Sequence, residues 1–290
     1  MFTVTQQPQT EPIYVLADTE TQSSLTIFPD RGGIATSWQV NARELMYLDT
    51  DRFKDPSLSV RGGIPILFPI CGNLPDDRYQ VGAKQYSLVQ HGFARNLPWK
   101  VTSQSTDRDA SLTIELASTE ATQQVYPFDF VVSFTYRLRG GELVIDQTYT
   151  NKSTTPMPFS TGLHPYFAAP DKNSLTVAIP APSYQEKQTQ AIHPFAGKFD
   201  FSQAEIDAAF ANLTGNTAVV TDTHQKLTLT MKQGTEFRNM VFWTVQGKDF
   251  YCLEPWTGPR NSLNTGIDLL HVAPGETLTT QVTFLAKFNS

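Results

Sequence analysis

Apolar and polar residues alternate in short runs along most of this 290-residue chain. SLTIF (24–28), SLTIEL (111–116), VVSFTYRL (131–138), ELVIDQTY (142–149), KLTLTM (226–231) and TLTTQVTFLA (277–286) favour Val, Ile, Thr, Phe and Tyr. That pattern predicts half-buried antiparallel strands. Arg139-Gly140-Gly141-Glu142 joins two of them and predicts a tight hairpin. Gly, Pro, Asn and Asp punctuate the runs at short intervals, the rhythm of an all-β sandwich or barrel. SQAEIDAAFANL (202–213) breaks the rhythm. Ser202 followed three residues later by Glu205 reads as a capping box, with Gly215 beyond, and predicts a short helix. The first dozen residues, rich in Gln, Thr and Pro, predict a loose arm. With no linker or repeat visible, the expectation is a single domain over 1–290, all-β, with one or two short helices.

Charge narrows the possible partners. Lys and Arg number 22 against 28 Asp and Glu, a net charge of −6. Such a chain has no whole-molecule attraction for nucleic acid or an anionic membrane. The two cysteines, Cys71 and Cys252, have neither CxxC nor Cys/His metal spacing and predict buried free thiols. The N-terminal stretch lacks the basic start and apolar centre of a secretory signal. The expectation is a cytoplasmic protein, a monomer or weak dimer, acting on a small molecule.

Four segments do not suit plain sheet. In SVRGGIPILFPICGN (59–73), Arg61 precedes a Gly-Gly pair, and Pro65 and Pro69 exclude a central ladder strand. The Gly-Gly corner lets a backbone come close to a ligand or another chain. In LVQHGFARNLPW (88–99), His91 and Arg95 flank Phe93, a set that suits sugar or phosphate oxygens but also an ordinary loop. STGLHPYFAAP (160–170) places His164 directly before Pro165 and Tyr166, and FYCLEPWTGPRNSLNTG (250–266) places Glu254 directly before Pro255 and Trp256. Both side chains therefore start from an extended, restricted backbone, at what reads as a strand end. A carboxylate between Leu253 and Pro255 should be partly desolvated and raised toward a general-base range.

A zinc site would draw on His91, His164, His193, His224, His271 and Glu254, but no HxH or HExxH occurs, and no metal or other cofactor is expected. No GxSxG nucleophile elbow or GxGxxG fingerprint is present either.

In their order, RGGIPILFP, QHGFAR, TGLHPYF, an Asp in the 202–213 segment, and CLEPWTG with NTG resemble the aldose 1-epimerase (galactose mutarotase-like) superfamily, and within it the hexose-6-phosphate mutarotase-like branch. The likeness covers about Leu25 to Phe288. It implies a large antiparallel β-sandwich with a sugar cleft on one sheet. It further implies His164 as general acid, Glu254 as general base, and His91 as a contact on the ring-oxygen side. Asp207 would hold hydroxyls, and Arg61 and Arg95 a sugar phosphate. PICGNLPDDRY departs from that branch, with Asn73 where some relatives carry an arginine. A non-catalytic carbohydrate-binding protein on the same fold is the alternative.

Overall fold

The computed structural model describes residues 1–7, 12–55 and 57–289. Each alternating run becomes a strand: Ser23–Phe28, Ala110–Ala117, Phe130–Arg139, Glu142–Asn151, Leu227–Gln233 and Thr277–Phe288. Arg139 pairs with Glu142, so Gly140-Gly141 is the two-residue hairpin loop that the sequence predicts. The last five of these runs sit in one eight-stranded antiparallel sheet, with Thr277–Phe288 between Leu227–Gln233 and Glu142–Asn151.

A second large sheet carries the unusual segments. Its order runs Ile192–Pro194, Ser183–Glu186, Glu205–Phe210, Asn239–Val245, Phe250–Trp256, Gly162–Leu163, Ile66–Leu67, with Tyr166–Ala168 also paired to Phe250–Trp256. One face packs on the large sheet through Ile206, Ala208, Phe210, Met240, Phe242 and Leu253, which join the main core with Phe134, Tyr136, Tyr149 and Phe284. The residues between them point the other way, so the opposite face is free to build a site. A five-stranded sheet, Phe2–Gln7 to Arg43–Glu44, adds Leu16, Leu25, Ile27 and Trp38 to the same core.

Two expectations are corrected. Residues 205–210 form a strand, not the predicted helix, paired on both sides. Ile206, Ala208 and Phe210 alternate at period two, and burying them against the core outweighs the weak helix preference of the Ala-rich run. Ser202 caps nothing: its backbone N–H and hydroxyl both donate to the Asp200 side chain in a turn before the strand. The loose arm is also incorrect for Phe2–Gln7, which pairs along its length with Ile13–Asp18. The remainder of that arm, 8–11, lies outside the described residues. The α-helices among the described residues are three short ones, Thr50–Lys54, Glu120–Val125 and Ser262–Thr265, and no helix there is long and apolar enough to cross a membrane.

The Gly62-Gly63 corner serves the chain itself. Both residues have positive φ, and a Cβ on Gly63 would stand 2.3 Å from the Ala35 carbonyl oxygen. The close approach that the sequence permits is therefore to a neighbouring strand, and it sets Arg61 at the edge of the site.

Candidate active site

Strand register places His164 opposite Glu254. Gly162 pairs with Trp256, and Tyr166 pairs with Cys252. His164 lies midway between the first members and Glu254 midway between the second, on facing segments. His164 Nε2 is 3.4 Å from Glu254 Oε1. The expectation that both sit at strand ends holds for His164, between two short strands. Glu254 instead lies inside Phe250–Trp256, with Pro255 still opposite Met240.

The pair is almost dry. Glu254 is 1% exposed and His164 9%. Two small apolar clusters flank the carboxylate: Tyr166, Phe250 and Cys252 on one side, and Leu67, Cys71, Val241 and Trp256 on the other. Burial, reinforced by the Asp207 carboxylate, pushes Glu254 well above the usual carboxylate range, against the pull of Arg260, a Trp256 hydrogen bond and Lys187. Burial, with nearby Arg95, takes His164 down to about 3. Each group resists carrying a lone charge, and the 3.4 Å contact lets one proton be shared between them.

Both members are held in place. The Trp256 indole Nε1–H donates to Glu254 Oε2 at 3.1 Å. The His164 ring stacks on Tyr166, with centroids 4.7 Å apart and planes 11° apart. His91 stands 5.5 Å from His164 by ring centroids. Its Nδ1 accepts from the Gly72 N–H at 3.1 Å, so the neutral ring carries its proton on Nε2 as a donor. Burial holds its pKa well below the usual histidine value.

Asp207, despite the corrected strand assignment, does reach the site. It pairs with Trp243 in register and points to the same face as Glu254. Arg260 donates from one Nη to both Asp207 oxygens at 2.9 Å, and Lys187 Nζ lies 3.3 Å away. Arg61 and Arg95 line the opposite flank, where Arg95 donates to the Gln90 carbonyl at 2.9 Å. Together these residues enclose a cavity of about 240 Å³. All six sequence-predicted residues line it: Arg61, His91, Arg95, His164, Asp207 and Glu254.

The histidines His193, His224 and His271 line none of it. Among the described residues, one group could hold a metal ion, His164, Cys252 and Glu254, whose ligand atoms lie within 4.8 Å of one another. Burial and the adjacent Glu254 carboxylate push the Cys252 thiol up. A metal bound here would have to displace that thiol proton. Both cysteines are free and buried, as predicted.

The family model described as aldose 1-epimerase matches residues 14–285. The chain belongs to the aldose 1-epimerase family. It is similar to the solved structure of the Slr1438 protein from Synechocystis sp. PCC 6803, at 42% identity and a TM-score of 0.95 over the full length of both chains. A galactose mutarotase-like protein from Clostridium acetobutylicum superposes with a TM-score of 0.83 at 18% identity, over 99% of each chain. That likeness shows the galactose mutarotase-like fold. The "Putative glucose-6-phosphate 1-epimerase" of Escherichia coli (strain K12) is 31% identical over 154 residues, 52% of this chain and 47% of that protein. The match thus spans about half the length of that curated relative.

Several residues of this cavity escape sequence reasoning. Arg260 follows Gly258-Pro259 in the very segment that carries Glu254, and its guanidinium lies over the Trp256 ring at 5.1 Å. Lys187 gave no signal at all. Trp256, directly after Pro255, is 2% exposed and anchors Glu254. The half-buried tryptophan lining the cavity is Trp243, whose Nε1–H donates to Glu205 at 2.7 Å.

Proposed function

We propose that this chain is a mutarotase that interconverts the α and β anomers of a hexose or hexose 6-phosphate. The observation that carries this reading is the His164–Glu254 contact at 3.4 Å. Mutarotation exchanges protons at two oxygens bound to one carbon, the C1 hydroxyl and the ring oxygen O5. An acid and a base for that task must stand within one sugar carbon of each other, on one side of a cleft. Glu254 takes the C1 hydroxyl proton while His164 gives a proton to O5, and the C1–O5 bond opens. The aldehyde end turns about C1–C2, O5 attacks its other face, and both protons return. No covalent intermediate is needed.

The one proton of the pair passes across the 3.4 Å contact as the sugar enters. The working form, with imidazolium beside carboxylate, keeps the same net charge as the neutral form, and mutual attraction offsets its burial. His91 offers its Nε2–H on the ring-oxygen side, Trp243 a face for the ring, and Arg260, Lys187 and Asp207 a set of hydroxyl partners. Arg61 and Arg95 would take a 6-phosphate.

Polarimetry tests the reading. Freshly dissolved α-glucose, α-galactose and anomerically biased glucose 6-phosphate should each be followed with and without protein, and at least one should equilibrate faster. Arg61→Ala should selectively slow the phosphorylated sugar; equal slowing of all three would remove its phosphate role. No acceleration on any hexose would leave the fold as a sugar-binding protein instead.

Two further outcomes follow from the electrostatics. A solvent-exposed histidine would halve activity near its ordinary value of about 6.5. Here the acid limb of kcat/KM should lie far lower, toward about 3, because burial delays the second proton on the pair. The alkaline limb reflects loss of the one remaining proton, which raised Glu254 holds beyond the ordinary carboxylate range. Arg260→Met removes a cation that pulls Glu254 down, so that limb should move to higher pH. The same variant frees Asp207 from a charge-assisted hydrogen bond and should raise KM by roughly tenfold or more.

A further inference from the structure

Cys252 lies on the site face of its strand, yet the proton transfers described above make no use of it. Cys252 and Glu254 stand two residues apart in Phe250–Trp256, so both side chains project to one side of the sheet. Register sets Cys252 against Tyr166 and Trp243, and it joins Tyr166 and Phe250 in the cluster beside the cavity rather than the main core. The ligand atoms of His164, Cys252 and Glu254 consequently fall within 4.8 Å of one another, drawn from two facing segments. Cys71 flanks the carboxylate from the other cluster and stands outside that group.

Geometry and charge both suit a soft divalent cation. Around a tetrahedral Zn²⁺, thiolate sulfur stands at about 2.3 Å and imidazole nitrogen or carboxylate oxygen at about 2.0–2.2 Å, so neighbouring ligand atoms lie roughly 3.3–3.7 Å apart. The 3.4 Å His164–Glu254 contact already has that spacing, and the sulfur has at most about 1.5 Å to close. The cavity above His164 and Glu254 has room for a water as fourth ligand. With the thiol protonated and one proton shared by the pair, the three side chains carry no net charge. A divalent cation that displaces both protons leaves thiolate, carboxylate and neutral imidazole, and the sum is again zero. The dry pocket thus takes the metal without gaining a lone buried charge. Thiolate and imidazole favour zinc-like ions over Mg²⁺ and Ca²⁺, which take oxygen ligands. Among the described residues His164 Nδ1 has no hydrogen-bond partner, so the ring lacks the brace that a resident metal gives its histidine. That points to an exchangeable ion rather than a fixed cofactor.

We propose that His164, Cys252 and Glu254 form a binding site for an exchangeable zinc-like cation that silences the catalytic pair. Two protons leave to solvent as the metal enters, and no oxidation state changes. The bound ion takes the lone pairs on His164 and Glu254 that proton exchange at the C1 hydroxyl and O5 requires. Binding stands on the three side chains alone; the inhibition rests on the mutarotase reading.

Chelator-treated protein titrated with Zn²⁺, and separately with Co²⁺, tests the proposal, with polarimetry on glucose and glucose 6-phosphate alongside. Co²⁺ should produce a near-ultraviolet thiolate-to-metal charge-transfer band and the intense visible bands of a tetrahedral ion, both displaced by Zn²⁺. Cys252→Ala should abolish the ultraviolet band and weaken Zn²⁺ about 100-fold or more, beyond the ~10–100-fold typical of a lost outer-shell partner. Cys71→Ala should keep both. Glu254→Gln, which keeps the side chain's shape, should weaken Zn²⁺ as well and guards against a Cys252 variant that misfolds. Zn²⁺ should suppress wild-type mutarotation, and chelator should restore it. An absent band, or Zn²⁺ affinity unmoved in both Cys252→Ala and Glu254→Gln, would assign any bound ion elsewhere on the chain and overturn the site. Metal-free catalysis that saturating Zn²⁺ leaves untouched would overturn the silencing while the mutarotase reading stands. A Cys252-dependent band on a metal-free protein that accelerates no sugar would keep the site and sink that reading.

Discussion

Glu254→Gln should lower kcat for mutarotation by about 10²–10⁴-fold, the usual contribution of a positioned base, while leaving the folded protein at least as stable. The activity loss follows from chemistry: an amide cannot accept the C1 hydroxyl proton. The stability expectation follows from the setting. Glu254 is 1% exposed between two apolar clusters, and burial disfavours its charge. Glutamine keeps the shape and an oxygen for the Trp256 indole, and it is neutral without having to take up a proton on burial. A thermal melt beside the polarimetric assay checks both halves. A residue kept for the fold alone would show the reverse pattern, with stability lost and activity kept.

His164→Ala should cost a comparable ~10²–10⁴-fold by removing the proton donor to O5. Here stability should fall, because the stack on Tyr166 is lost, a contact worth about 0.5–1.5 kcal/mol. Circular dichroism should nevertheless report an unchanged strand signature. The double variant is the more informative protein. His164 and Glu254 share one proton and act as a unit, so removing both should cost little more than removing either. Fully multiplicative losses would mean that the two groups work independently, and the shared-proton account would fail.

Most of the sheet framework is legible in the sequence because half-buried strands leave a period-two imprint. The Arg139–Glu142 hairpin and the runs around it are found where that imprint places them. The two errors have one cause. In both FTVTQQ and EIDAAF the alternation is present, but Gln-rich composition hides the first and a capping-box pattern with alanines hides the second. Tertiary pairing then overrides local preference.

The site was legible in its reactive groups and illegible in its supports. His164 and Glu254 stood out because each precedes a proline and an aromatic. That they face each other depends on strand pairing between segments some ninety residues apart, which no local pattern encodes. Arg260 and Lys187 converge on Asp207 from different elements, and nothing in their flanks marks them. The role of Trp256 was equally hidden: its buried indole proton fixes the Glu254 carboxylate.

The central claim is that the His164–Glu254 pair opens and recloses a hexose ring. Anomer exchange at equilibrium tests it most directly, by magnetisation transfer between the α and β C1 protons of glucose, or of glucose 6-phosphate, in the presence of protein. The account predicts exchange that scales with wild-type protein concentration and falls to the protein-free rate with Glu254→Gln and with His164→Ala. Exchange that persists undiminished in both variants would contradict it.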